Sequence, residues 1–277
     1  MKGIHFMLVA LAIVACGGKS DTDTTVTPPT PSKPEAPAAD DGWELVWEDN
    51  FDGTAINSAN WARVRYGTPD WQNMMAPNRA DLAYIENGEL VLLGKVNDHS
   101  GSETTAYVTG GVQTEGKKYF KLARFEVRAK FNCAQGFWPA IWLMPNANVQ
   151  WPKGGEIDIM EHLNSENKVY QTIHSYYTQY VNKNTSHSVE KGIRRLDWNT
   201  YAVEIWEDKI CMFVNDEKTY TYSKMEGVEY QWPFADYSYY LILSNQLGGE
   251  WVGEITASQL PSELRIDWVR VYQRKQE

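Results

Sequence analysis

The sequence predicts an all-β domain, a sandwich or a barrel, and three observations carry that prediction. Short runs alternate apolar and polar residues with period two. Pairs of Gly, Asn and Asp punctuate them, and no long segment shows an apolar stripe at the 3.6-residue helical period. The clearest run covers residues 123–131. Phe125, Val127, Ala129 and Phe131 fall on one face and Arg124, Glu126, Arg128 and Lys130 on the other, as in an antiparallel strand with one face buried. Similar runs recur at 90–93, 201–206, 210–214, 239–243 and 264–272. Between them stand Asn87-Gly88, Gly110-Gly111, Asn215-Asp216 and Gly248-Gly249. Asn215-Asp216 separates two strand-like runs as a tight hairpin turn does. The 277 residues show no repeat at a propeller or solenoid period, and a single all-β domain of this length is ordinary.

Composition narrows the function classes. The chain carries 26 Lys and Arg against 36 Asp and Glu, a formal charge of −10, which excludes a protein that tracks nucleic-acid phosphates. A hydrophobic content of 43% excludes a disordered chain, and three Cys exclude a disulfide scaffold. What needs explaining is an excess of aromatic residues, with 12 Trp and 16 Tyr. Their flat apolar faces and polar edges suit cores, interfaces and ligand platforms alike.

The N-terminus reads as an address. Residues 1–15 hold one basic residue and an apolar stretch too short to span a bilayer, as in a secretory signal. The stretch ends in Ile13-Val14-Ala15-Cys16, which resembles a bacterial lipobox. That resemblance implies cleavage before Cys16 and lipid attachment to its thiol, with the protein held at a bacterial membrane, the outer membrane facing the cell surface being the expected place. Residues 16–42 then form a Pro- and Thr-rich tether that cannot bury a core. From Trp43 to the end, 43–277, runs one domain. A tethered domain of this kind suits a monomer. Spacing leaves open whether Cys133 and Cys211 pair.

The segment that carries chemistry is Gly154-Gly155-Glu156-Ile157-Asp158-Ile159-Met160-Glu161-His162. Glu156 and Asp158 are two apart on a strand and share a face, while Ile157 and Ile159 point into a core. Glu161 is five residues from Glu156, a spacing that sends it to the opposite face of a regular strand. A β-bulge near Ile159-Met160 would absorb one residue and restore it. Such a face meets the needs of a retaining glycosidase. One carboxylate attacks the anomeric carbon; a second, roughly 5–5.5 Å away, protonates the leaving oxygen. Asp158, lying between, raises at least one of their pKa values through its charge. Solvated acids or a divalent-cation site are the alternatives for such a cluster taken by itself.

The motif Glu156-Ile-Asp-Ile-Met-Glu161 resembles the bulged signature of glycoside hydrolase family 16. Other segments match in order: residues 46–53 (Val-Trp-Glu-Asp-Asn-Phe-Asp-Gly), 136–144 (Gly-Phe-Trp-Pro-Ala-Ile-Trp-Leu-Met), Trp151-Pro152, 247–251 (Leu-Gly-Gly-Glu-Trp) and 266–272 (Ile-Asp-Trp-Val-Arg-Val-Tyr). Within the family the chain is most similar to laminarinase-type endo-β-1,3- and β-1,3-1,4-glucanases. The resemblance implies a β-jelly roll of two curved antiparallel sheets with a substrate cleft on the concave one, and no cofactor for catalysis. It assigns Glu156 as nucleophile, Glu161 as general acid/base and Asp158 as the assisting acid. His174 matches a polar position on the next strand. Trp138, Trp142 and Trp151, with Tyr176, Gln246 and Trp251, become candidates for sugar contact. Trp43, Trp61, Trp198 and Trp268 are assigned to packing. A structural Ca²⁺ is implied at Asn50 and Gly88 through backbone oxygens and Asp267 through its carboxylate. A zinc reading of His162, His174 and His187 fits no usual spacing.

Three departures from the laminarinase pattern bear on specificity. Ser244 stands where Asn is usual, the common Arg is absent from Gly111-Val112-Gln113-Thr114, and the run after Trp71 is altered to Gln72-Asn73-Met74-Met75. The expected activity is hydrolysis of β-1,3 or mixed-linkage β-1,3-1,4 glucan, such as laminarin, lichenan or cereal β-glucan. The alternatives are the same fold acting on agar, porphyran, carrageenan or xyloglucan, and a non-catalytic glycan-binding protein.

Overall fold

The computed structural model describes residues 42–275. The leader at 1–15, Cys16 and its lipid, and the tether up to residue 41 lie outside the described residues. Sixteen strands follow in chain order: β1 (Trp43–Asp49), β2 (Ala62–Arg63), β3 (Ala83–Glu86), β4 (Glu89–Val96), β5 (Tyr107–Thr109), β6 (Gly111–Gln113), β7 (Ala123–Phe131), β8 (Phe137–Pro145), β9 (Glu156–Glu161), β10 (Lys168–His174), β11 (Ser188–Gly192), β12 (Asn199–Ile205), β13 (Lys209–Val214), β14 (Glu217–Ser223), β15 (Tyr239–Leu247) and β16 (Ser262–Arg274). The helical segments among the described residues are three short turns, of which Tyr177–Val181 matters below.

The strands form two antiparallel sheets, the jelly-roll sandwich expected. One has nine strands, ordered β14-β13-β12-β7-β16-β4-β3, with β1 beside β16 and β5 beside β4; the other has seven, ordered β11-β10-β9-β8-β15-β6-β2. Their inner faces share one core that includes Phe125, Val127, Phe137, Ile141, Ile157, Leu241 and Val269. All six predicted runs are strands, four of them within one or two residues of the predicted ends. Asn87-Gly88 and Asn215-Asp216 turn the β3–β4 and β13–β14 hairpins with positive φ at both residues, the twist that two-residue hairpins favour.

Gly110-Gly111 does something else. Between β5 and β6 the chain passes from the nine-stranded to the seven-stranded sheet. Gly110 donates its N–H to Leu93 O of β4 (2.8 Å) and accepts from Asn245 N of β15 (3.2 Å). A Cβ there would sit 1.9 Å from Leu82 O, so only glycine fits. Buried Asn245 pins the same seam, its amide reaching Leu92 O (2.8 Å) and Ser262 O (3.3 Å).

Trp43, Trp61 and Trp268 are buried as assigned. Trp198 is not: it is half-exposed, with Arg128 and Lys130 4.8 and 4.2 Å from its ring centre. It covers charged stems on the outer face of β7, a place that a Trp in a loop does not reveal by periodicity. Cys133 and Cys211 are both free thiols.

Candidate active site

Register builds the site on the outer face of the seven-stranded sheet. Trp142 of β8 and Thr172 of β10 both face Asp158, while Ala140 and Tyr170 face Glu161. From Asp158 to Glu161, β9 advances three residues while each neighbour advances two. That is the β-bulge the acidic motif requires. Ile159 and Met160 both turn into the core, and Glu161 returns to the face of Glu156 and Asp158. On β8 and β15 the period is regular. Trp138, Ala140, Trp142 and Met144 alternate outward, as do Tyr240, Ile242, Ser244 and Gln246.

Each acid has its own partner. Trp151 Nε1 donates to Glu156 Oε2 at 2.6 Å, and Trp138 Nε1 donates to Glu161 Oε1 at 3.0 Å. His174 Nε2 lies 3.0 Å from Asp158 Oδ2 and 3.9 Å from Glu156 Oε1. Its other nitrogen, Nδ1, accepts from Gln179 Nε2 at 2.6 Å, which leaves Nε2 to carry the proton toward the carboxylates. Burial pushes Glu156 up to about 8, helped by the Asp158 charge and opposed by His174 and the Trp151 N–H. Burial likewise raises Asp158 to about 8, and Glu156 and Asp158 share a hydrogen bond. Glu161 lies well above the usual carboxylate range, first through burial and then through the charges of Asp158 and Glu156. Buried side by side, the three carboxyls each disfavour ionisation of the others, so they titrate as a set.

They line a cavity of about 700 Å³. Of the candidates for sugar contact, Trp138, Trp142, Trp151, His174, Gln246 and Trp251 line it and Tyr176 does not. Tyr176 turns away to pack on Tyr180 and Tyr230, with ring centres 5.1 and 5.2 Å apart. Two pairs of indoles stand edge to face, Trp71 on Trp142 (4.7 Å) and Trp138 on Trp251 (5.4 Å). Trp142 Nε1 donates to Ser244 Oγ at 3.2 Å, so one departure from the laminarinase pattern bonds a cleft indole directly. A second departure, Asn73, accepts from Gln246 Nε2 at 3.3 Å. Sequence reasoning missed Tyr240 and Ile242, which the alternation ending at Gln246 would have supplied, and Trp71, which sits in a loop with no period to expose it. Among the described residues, neither Lys nor Arg lines the cavity. A shallower depression of about 460 Å³ adjoins it, sharing Met144, Trp151 and Tyr240.

The sequence profile of glycosyl hydrolases family 16 matches residues 78–270. The chain belongs to that family. A keratan-sulfate endo-1,4-β-galactosidase of Sphingobacterium multivorum is 35% identical over 97% of this chain and 66% of its own length. A β-glucanase of Rhodothermus marinus is 31% identical over 83% of this chain and 85% of its own. Among solved structures, one from work on endo-acting O-glycanases that initiate mucin breakdown by human gut microbiota superposes with a TM-score of 0.75. It is 29% identical, over 84% of this chain and all of that one.

Metal readings of this family 16 domain divide. His162 is buried, with its two ring nitrogens facing Lys168 O and Asn164 O, so no zinc site forms from it with His174 and His187. Glu156, Asp158 and His174 bring ligand atoms within 4.8 Å of one another, but the hydrogen bonds above describe a proton network. The calcium positions lie on the nine-stranded sheet. Asn50 follows β1, Gly88 turns β3 into β4, and Asp267 is the extra residue of a bulge in β16 between the partners of those strands. The register thus gathers all three at one corner. Asp267 is ion-paired with Arg128 there, which must yield part of that contact to any cation.

Proposed function

We propose that this chain is a retaining endo-β-glycanase. The observation that carries the reading is the bulge in β9, which puts Glu156 and Glu161 on one face of an aromatic cleft with His174-linked Asp158 between them. Glu156 attacks C1 of the sugar while Glu161 gives its proton to the departing glycosidic oxygen. A glycosyl ester on Glu156 results. Glu161, now ionised, takes a proton from water, which attacks the same carbon and releases Glu156 with configuration retained. Burial and neighbouring charge keep Glu161 protonated for the first step. The Trp151 N–H and His174 favour ionised Glu156.

For the substrate we infer a β-1,4-linked galactose-containing glycan. Two comparisons support it: the galactosidase that matches 97% of this chain and the mucin-directed O-glycanase structure. The departures from the laminarinase pattern also fall on the cleft itself, at Ser244 and at Asn73 against Gln246. A cleft without Lys or Arg favours uncharged stretches over sulfated ones. The second reading is β-1,3 or mixed-linkage β-1,3-1,4 glucan, supported by the intact bulged motif and by the β-glucanase relative. A panel of unsulfated galactose–N-acetylglucosamine polymer, keratan sulfate, laminarin and lichenan, with product linkage and anomer read by NMR, decides between them. Release of α-anomer first would overturn retention. Activity on laminarin alone would select the glucan reading.

The leader and Cys16 support a lipid-anchored protein at the cell surface, and a Cys16→Ser variant should then leave the membrane fraction. Asn50, Gly88 and Asp267 would hold Ca²⁺ as a brace between β1, β4 and β16, remote from the chemistry. Addition of Ca²⁺ to metal-free protein should raise Tm without changing kcat.

A further inference from the structure

We propose that Tyr176, Tyr180 and Tyr230 form a glycan-binding platform that continues the cleft beyond its Glu156 end and takes the sugar faces of the same chain on the far side of Trp151. The inference rests on the glycosidase reading for the occupant and on geometry for the surface. Tyr180 and Tyr230 are 58% and 59% exposed, and both rings converge on Tyr176. Large rings gathered in solvent, not in the core, are unusual and need a reason. Tyr230 also holds φ at 64°, a left-handed backbone that strains a bulky residue. Its place is fixed on both sides. Tyr230 O accepts from Tyr177 N at 3.2 Å, and neighbouring Gln231 is buried and bonded to Met225 N and Ser223 O, each at 3.0 Å.

Continuity with the cleft identifies the occupant. Tyr176 is two residues beyond His174, which pairs with Glu156 across β9 and β10. The helical turn Tyr177–Val181 presents Gln179 to His174 and Tyr180 to solvent, so one turn serves the cleft and the platform. Lys153 Nζ lies 5.7 Å from the Tyr176 ring centre, and two residues earlier in that loop Trp151 walls the cleft while 45% exposed. Lys153 thus links the loop that carries Trp151 to the Tyr176 ring of the platform. Pyranose C–H faces stack on such rings while hydroxyls meet the phenol edges.

The test pairs a long and a short substrate. Tyr180→Ala combined with Tyr230→Asn removes both exposed rings, and Asn tolerates the left-handed backbone. In the active chain, KM for polymer should rise about tenfold while kcat and KM for a tetrasaccharide of the same linkage stay unchanged. In a Glu156→Gln background, retardation of the protein on a gel containing the polymer should be lost with the same two substitutions. Unchanged polymer KM would overturn the platform. So would equal losses on polymer and tetrasaccharide with an altered pH profile, which would mean that the turn had disturbed Gln179 and His174. If the wild type cleaves no glycan, the glycosidase reading fails by itself, and the gel still decides. Retardation that depends on the tyrosines upholds the platform; retardation that does not, or none at all, refutes it.

Discussion

The two sheets use Asp and Glu in opposite ways. Around the nine-stranded sheet, carboxylates meet cations. Arg265 holds Glu86 and Glu89 at 2.7 and 2.9 Å and also contacts Glu263. Arg124 holds Glu204 at 2.8 Å and Glu126 at 3.3 Å. Arg79 and Lys95 clamp Asp81 and Asp98, and their hydrogen bonds hold both carboxyls below the usual range. In the cleft of the seven-stranded sheet, three buried acids share one imidazole and two indole N–H groups, and all three are raised. The first arrangement gives fixed charge. The second gives protons that can be moved at neutral pH, which is what glycoside cleavage needs.

The largest effect should come from Glu156→Gln, which keeps shape and removes the nucleophile: kcat should fall by roughly 10³-fold or more. Equal activity of variant and wild type would end the assignment. Glu161→Gln should be severe on natural polymer but much milder on an aryl glycoside, whose leaving group needs no proton.

Next in size is a substitution that gives the cleft the chemistry of the opposite sheet. Thr172 faces Asp158 across β9 and β10, so Thr172→Lys brings an ammonium to the acids. A cation favours the ionised forms and lowers their pKa values. Glu161 should then lose its proton at lower pH, moving the alkaline limb of kcat/KM downward and reducing kcat by about 100-fold at neutral pH. A profile that kept its alkaline limb would show that charge does not set the acid.

The reverse experiment is Arg265→Met. It leaves Glu86, Glu89 and Glu263 near one another without their shared cation, on a group that retains some solvent contact. Stability should fall by about 2 kcal/mol with kcat unchanged, read by urea denaturation and initial rates.

The smallest effect separates the sheets by pH. A carboxyl raised in the folded state binds its proton more tightly there than in the unfolded chain. Its contribution is therefore neutral below the unfolded pKa near 4 and increasingly destabilising as pH climbs toward the folded value. Glu161→Gln should stabilise the fold measurably at pH 8 and by almost nothing at pH 4, read by urea denaturation. The same gain at both pH values would contradict a raised Glu161.

Much of this was determined by the sequence alone. Period-two alternation marked the half-buried strands, because each has one wet and one dry face. Asn-Asp marked a hairpin and Asn-Gly a break between runs, and both sit at turns through their tolerance of positive φ. The five-residue gap between Glu156 and Glu161 demanded a bulge, because two groups acting on one bond must share a face. Alternation had less to say of β8, whose outward positions carry Trp as its inward ones carry Phe, Ile and Leu. Tertiary structure decided the rest. It turned Tyr176 out of the cavity, placed Trp198 under Arg128 and Lys130, left both thiols free, and brought Gln179 to His174. It also kept Lys and Arg out of the lining of the cavity that holds the three cleft acids. These are contacts between loops and strands remote in sequence or set by a turn's exact path. A local period records which way a side chain faces, but only the packed pairing of strands fixes what it faces.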